Sequence, residues 1–128
     1  MFSIAAIDHI VLTVANISDA CDFYQRVLGL ELIEFDGGRK ALRVGRQKIN
    51  LHEEGHEFSP YAAQPTSGSA DFCLITEDSI AEWLRHFQDM GIELVDGPIP
   101  QTGAMGRMES VYVRDMDGNL IEVASYKP

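Results

Sequence analysis

Four side chains of types that hold divalent metal ions, His9, His52, Asp71 and Glu122, are spread along a chain of 128 residues. The last is the most pointed. The stretch "DMDGNLIEVASY", 115–126, sets Glu122 among Leu120, Ile121, Val123 and Ala124. A charge in such an apolar run costs several kcal/mol unless it is paired or bound to a metal. Two imidazoles and two carboxylates form a nitrogen and oxygen donor set suited to Zn, Ni, Mn or Fe(II). An ion held by three of them would keep open positions for substrate oxygens and act on them as a Lewis acid. Taken singly, each residue has a plainer reading: Glu122 on the wet face of a strand, His9 a hydrogen-bonded core histidine, Asp71 a strand-start residue, His52 a surface group. What decides is whether the fold gathers them.

The elements that must do so are written twice. "DHIVLTVAN" (8–16) matches "ADFCLITED" (70–78) at an offset of 62, and "GLEL" (29–32) matches "GIEL" (91–94) at the same offset. "INLHE" (49–53) matches "LIEVA" (120–124) in character at an offset of about 70, with a longer Gly/Pro-rich loop, 96–110, absorbing the difference. Each half reads strand, helix, strand, strand, strand. In the first helix Ser18 is the expected cap, ahead of Ala20, Phe23, Tyr24 and Val27. In the second, Ser79 and Glu82 form a capping-box pattern around Ile80, Trp83, Leu84 and Phe87. The apolar stripes align best at an offset of 60, a drift inside the helix. Gly29 and Gly91 end the helices. "DGGRK" (36–40), "VGRQK" (44–48) and "RDMDGNL" (114–120) read as turns between strands; the last resembles the start of a calcium loop but lacks its distal Glu. The expected fold is α+β: a single domain, 1–128, of two βαβββ modules, 1–53 and 70–128, joined by a linker, 54–69.

Strand parity turns the repeat into a site. Alternate residues share a face, so His9, Val11 and Thr13 oppose Ile10 and Leu12, and Asn50 and His52 oppose Ile49 and Leu51. Asp71 and Cys73 oppose Phe72 and Leu74; Leu120, Glu122 and Ala124 oppose Ile121 and Val123. With the apolar faces packed under helices, His9, His52, Asp71 and Glu122 point into one cup between two mixed sheets. Four ligand types at repeat-equivalent positions favour a metal site, and Glu122 is then stabilised in its strand by a cation.

Composition bounds the partners. Twenty acidic against ten basic residues give a net charge of -10, which opposes binding to nucleic acid or anionic lipid. The one dense basic cluster, Arg39, Lys40, Arg43, Arg46 and Lys48, reads as the solvated face of a hairpin. No apolar run spans a bilayer, and "MFSIAAIDHI" lacks the features of a signal peptide, so a cytoplasmic protein is expected. Cys21 and Cys73 have no framework spacing and read as buried free thiols.

The paired modules, with "DHIVLTV", "FYQRVLGLEL", "KINLH" and "DMDGNLIEV", resemble the vicinal oxygen chelate superfamily over nearly the whole chain. "RKALRVGRQKINLHEEGHEF" and "GSADFCLITE" look most like its glyoxalase domain-containing and virulence-associated single-domain branch. The resemblance implies one divalent ion per site, with ligands His9, His52 and Glu122, and Asp71 as a fourth ligand or as an orienting group or base. It departs from glyoxalase I at Asp71, where His is usual, and at His52, where a carboxylate or amide is. It implies a glyoxalase-like lyase or isomerase, passing through an enediolate on a small α-hydroxycarbonyl or thiol adduct. Glu122 or Asp71 would be the base and Arg107, in a 97–109 lid, a substrate contact. An extradiol dioxygenase and a metal-free binding protein for an aromatic drug are the alternatives. Members of this length close or exchange their modules, and a C2 homodimer is expected.

Overall fold

The computed structural model describes residues 1–128, as two compact units, Met1–Ser67 and Gly68–Pro128. Each unit is a βαβββ module with a four-stranded mixed sheet, so the α+β, two-module expectation holds. The segment 54–67, read from sequence as a linker, belongs to the first unit: Ser67 donates from its backbone N–H and its hydroxyl to the Glu54 carboxylate.

In the first unit the elements are β1 (His9–Val14), α1 (Ile17–Arg26), β2 (Glu31–Phe35), β3 (Arg39–Val44) and β4 (Gln47–Glu53), with sheet order β1-β4-β3-β2. β1 and β4 pair in parallel, and the other contacts are antiparallel. Leu12, Val14, Leu42, Ile49 and Leu51 are buried, as are Ala20, Phe23 and Tyr24 of α1. The cap of α1 is Asn16, not Ser18: its Oδ1 accepts from the Asp19 N–H at 2.9 Å. Asn caps at least as well as Ser, and it is separated from the end of the strand by a single residue, so the helix starts there and Ser18 falls in the first turn.

The second unit runs β5 (Asp71–Ile75), α2 (Ile80–Asp89), β6 (Asp96–Gly103), β7 (Gly106–Arg114) and β8 (Leu120–Ser125), in sheet order β5-β8-β7-β6. Ser79 caps α2 as expected, accepting from the Glu82 N–H. The two caps, Asn16 and Ser79, are 63 residues apart, close to the offset of the strands, so the supposed drift of 60 disappears. Trp83 of α2 anchors the helix by donating its indole N–H to Thr76 Oγ1 at 2.7 Å.

The Gly/Pro-rich stretch read as a loop is a hairpin, β6 and β7. Pro98 and Pro100 are tolerated because β6 is the sheet edge, where missing N–H donors cost least. Gly97 permits the close approach that starts this hairpin. Its φ is +102°, and a Cβ there would lie 2.5 Å from the Ser110 carbonyl oxygen.

The "RDMDGNL" turn is held by side chains, with no need of calcium. Asp115 accepts from the N–H groups of Asp117 and Asn119. Asn119, fully buried, donates to Asp115 at 2.7 Å and accepts from the Ala70 N–H at 2.9 Å. That last bond ties the start of β5 to the start of β8 and so fixes their register. Asn119→Ala strips partners from a half-buried N–H and a buried carboxylate, and is expected to cost about 2–4 kcal/mol. Urea unfolding followed by circular dichroism measures it; a loss under about 1 kcal/mol would mean that the clamp is redundant.

Candidate functional site

The faces turned away from the helices carry the polar residues, as parity requires. In the second unit Glu122 lies directly between Cys73 of β5 and Tyr112 of β7. Asp71, exposed, pairs with Leu120 and so stands diagonally two residues from Glu122, about 8 Å between Cα atoms. Glu122 is well partnered within its own unit. Ser110, fully buried, donates its hydroxyl to Oε2 at 2.6 Å. The Tyr112 phenol also bonds Glu122, and accepts from Gln101 Nε2 at 2.8 Å. Burial first, then the Glu122 charge, raises the Tyr112 pKa and keeps the phenol protonated. The Cys73 thiol is pushed up to about 11, by desolvation first and then by the Glu122 carboxylate that it bonds. Cys73 is exposed, not buried as its spacing suggested, so the neighbouring carboxylate is the contribution its position makes plain.

In the first unit the equivalent face has three rungs. His9 pairs with Lys48, Val11 with Asn50, and Thr13 with His52. Superposing the rungs on those of the second unit puts His9 at the position of Asp71 and Asn50 at that of Glu122. His52 corresponds to Ala124. The offset of the fourth strands is therefore 72, and "INLHE" aligns with "IEVAS", 121–125. A two-residue slip preserves the face and changes the rung, which is why parity placed His52 on the correct side but one step too far along. His9 and His52 are four residues out of step, about 14 Å between Cα atoms.

The surroundings of the two histidines differ accordingly. His9 is exposed, and its Nδ1 meets Asp8 Oδ1 at 2.7 Å, which orients the ring. His52 is 2% exposed, and its Nε2 accepts from Arg39 Nη2 at 3.3 Å. Desolvation first, then the Arg39 charge, lowers the His52 pKa, so the ring is neutral. A guanidinium beside the nitrogen is the opposite of what a metal ligand needs. Asn50, 5% exposed, has a buried Oδ1 without a partner. No three His, Cys, Asp or Glu side chains lie close enough together to hold a metal ion.

Arg107 lies on β7 and donates to Thr102 across the hairpin at 3.2 Å, so the expected lid is a strand pair. It shares the parity of Val111 and Val113, both fully buried, and so belongs to the face opposite Glu122. With Pro100, Glu109, Tyr126 and Lys127 it lines an open groove of about 380 Å³.

The sequence pattern of the Glyoxalase/Bleomycin resistance protein/Dioxygenase superfamily matches residues 6–123. The chain belongs to that superfamily. It is 50% identical to Virulence protein STM3117 of Salmonella typhimurium over 120 residues, 94% of this chain and 83% of that protein. The crystal structure of STM3117 superposes with a TM-score of 0.95 at 48% identity, covering 98% of this chain and all of that one. Glyoxalase domain-containing protein RDO1 of Mycosarcoma maydis is 49% identical over 125 residues, 98% of this chain and 70% of RDO1. More distantly, lactoylglutathione lyase from Agrobacterium tumefaciens has a TM-score of 0.75 at 27% identity, with 97% and 96% of the two chains covered.

Asn50, Ser110, Gln101 and Phe58 had no expected role, and Arg39, expected on the solvated face of a hairpin, instead has a buried Nε and meets His52. Asn50 was legible, since aligning "INL" with "IEV" gives it the place of Glu122. Ser110 and Gln101 lie in the stretch taken for a loop, where no parity could be assigned. Because the Glu122 carboxylate adds to desolvation in holding the Cys73 thiol protonated, Glu122→Gln in a Cys21→Ser background is expected to speed alkylation of Cys73 by iodoacetamide at pH 8 several-fold. An unchanged rate would mean that the carboxylate does not govern the thiol.

Proposed function

We propose that the protein is a divalent-metal-dependent enzyme of glyoxalase type, a lyase or isomerase that moves a proton at the carbon beside a carbonyl in a small α-hydroxycarbonyl or thiol-adduct substrate. The observation that carries this reading is the shared register. His9 and Asn50 occupy the rungs of their face that Asp71 and Glu122 occupy on the equivalent face.

The donor types of these residues fit a metal. Their donors are an imidazole, two carboxylates and an amide, and the Asn50 oxygen is buried without a partner, a group that an ion would satisfy. His9 and Glu122 are the ligands in this reading, Asn50 completes the set, and His52 leaves it. Asp8 sets the ring of His9 from its Nδ1 side, as outer carboxylates do for metal-bound histidines. Ser110 fixes one oxygen of Glu122. A bound divalent ion would supply Lewis acidity toward substrate oxygens. Proton transfer falls to Asp71: it is exposed and lies one diagonal step from Glu122, whereas Glu122 is held by its neighbours. The likeness to lactoylglutathione lyase supports this reaction class.

We also propose a C2 homodimer. Ile10, Val11 and Ile75, on strands at the edges of their sheets, are large and exposed, and a second copy would cover such edges. Light scattering at micromolar concentration tests this, and a monomer there would end it.

His9→Ala and Glu122→Ala are expected to abolish tight metal binding while keeping the circular dichroism of the parent. His52→Ala is expected to keep at least about half of an equivalent, because its Nε2 is engaged by Arg39. Metal analysis after gentle purification reads all three; full occupancy in His9→Ala or Glu122→Ala removes that residue from the ligand set, and an empty His52→Ala restores His52 to it. Turnover of a methylglyoxal hemithioacetal by the metal-loaded protein tests the reaction class.

A further inference from the structure

The polar cluster beside the proposed metal ligands is unfinished in a specific way. Three side chains of the first unit, Arg39, Asn50 and His52, each keep a buried nitrogen or oxygen with no hydrogen-bond partner: Nε, Oδ1 and Nδ1. Buried polar atoms are nearly always paired, and three adjacent exceptions call for a missing partner. Asn50 and His52 are alternate residues of β4, and His52 meets Arg39 of β3.

The chemistry of the missing partner follows from the donors. A guanidinium only donates, so the Nε2 of His52 that it meets must accept. With Nε2 accepting, the ring carries its proton on Nδ1. Arg39 Nε and His52 Nδ1 are thus both unfilled N–H donors, one on a permanent cation. Arg39 is held in place by aromatic rings, its guanidinium carbon 4.4 Å from the Phe58 centroid and 5.1 Å from that of Phe35. Lys48 Nζ also stands over the Phe35 ring, 3.6 Å from its centroid. Glu57 is the acidic group whose charge reaches His52, and its carboxylate is occupied by the Gly55 N–H at 2.8 Å.

We propose that Arg39 and His52 form a subsite for the carboxylate group of a small organic anion, capped by Phe58. Two N–H donors with a single full charge match the two oxygens of a planar monoanion; a phosphate dianion in a chain of net charge -10 would need more cations than this face brings to the pair. Phe58 is 42% exposed and stands edge-on to His52, with ring centroids 5.5 Å apart, on a segment without helix or strand. It is the group that yields as the anion enters. The inference deepens the proposed function by giving its substrate a carboxylate one rung, about 7 Å, from Asn50.

The test uses the metal-free protein, so that it does not depend on the metal reading. Pyruvate, its methyl ester and inorganic phosphate are titrated while the ring nitrogens of His52 are followed by 15N NMR, assigned with His52→Gln. Pyruvate is expected to shift the His52 Nδ1 resonance saturably, and the uncharged ester to leave it unmoved. Arg39→Lys, which keeps the charge but loses the Nε donor, is expected to weaken the effect about tenfold. Phe58→Ala leaves both donors in place and is expected to keep saturation by pyruvate. Saturation by phosphate but not by pyruvate, an equal response to the ester, or no response in the parent and in Phe58→Ala would each overturn the subsite; the last would assign the unfilled atoms to buried water alone. If the protein takes up no divalent metal but still binds pyruvate at His52, the metal reading fails and the subsite stands.

Discussion

Each module depends on one parallel pairing, that of its first strand with its last. β1 lies against β4 and β5 against β8, and the helix and remaining strands are the crossover that a parallel pair requires. The pairing brings together residues far apart in the chain, Asp71 and Glu122 among them, and its register alone decides which side chains share a rung. In the second unit the register is enforced by a neutral side chain, Asn119, whose amide spans the start of both strands. A face defined this way can exchange the chemistry on its rungs without disturbing the opposite face, where the core lies.

Glu122 shows how a carboxylate is accommodated in an apolar strand. Its neighbours along β8 point at the core, while the strands on either side supply a hydroxyl, a thiol and a phenol. All three are neutral donors. They compensate a charge that would otherwise be stranded, and they do so without a cation that would compete with a metal for the same oxygens. The first unit differs in kind. There a guanidinium stands against His52, and the amide of Asn50 occupies the place of the carboxylate. The two halves of the duplication have diverged into an anionic face and a face able to accept an anion.

The architecture was legible in the sequence because duplication supplied two readings of each element. A period of two identified the faces, and Ser79 identified its helix start. What failed did so for local reasons. Asn16 outcompeted Ser18 because an equally good capping residue stood two places earlier, separated from the strand by a single residue. The hairpin 96–114 was hidden by Pro98, Pro100 and Gly97, residues that are rare in strands except at an edge with a bulge such as this one. The identity of the rung occupied by His52 could not come from parity, because slips of two residues leave every buried position buried. Contacts made by irregular segments, such as that of Phe58 with Arg39, have no period to be read from.

Trp83, the chain's single tryptophan, is tied to Thr76 and packs against Phe87, all within the second unit. Its counterpart by the spacing of the helix caps is Ala20, which is buried and optically silent. The duplication therefore carries a label in one copy and none in the other. Emission excited beyond tyrosine absorbance follows one half of the repeat, whereas amide ellipticity follows both. Whether the two traces melt together or apart reveals, without any added probe, whether the duplicated halves still unfold as one cooperative body.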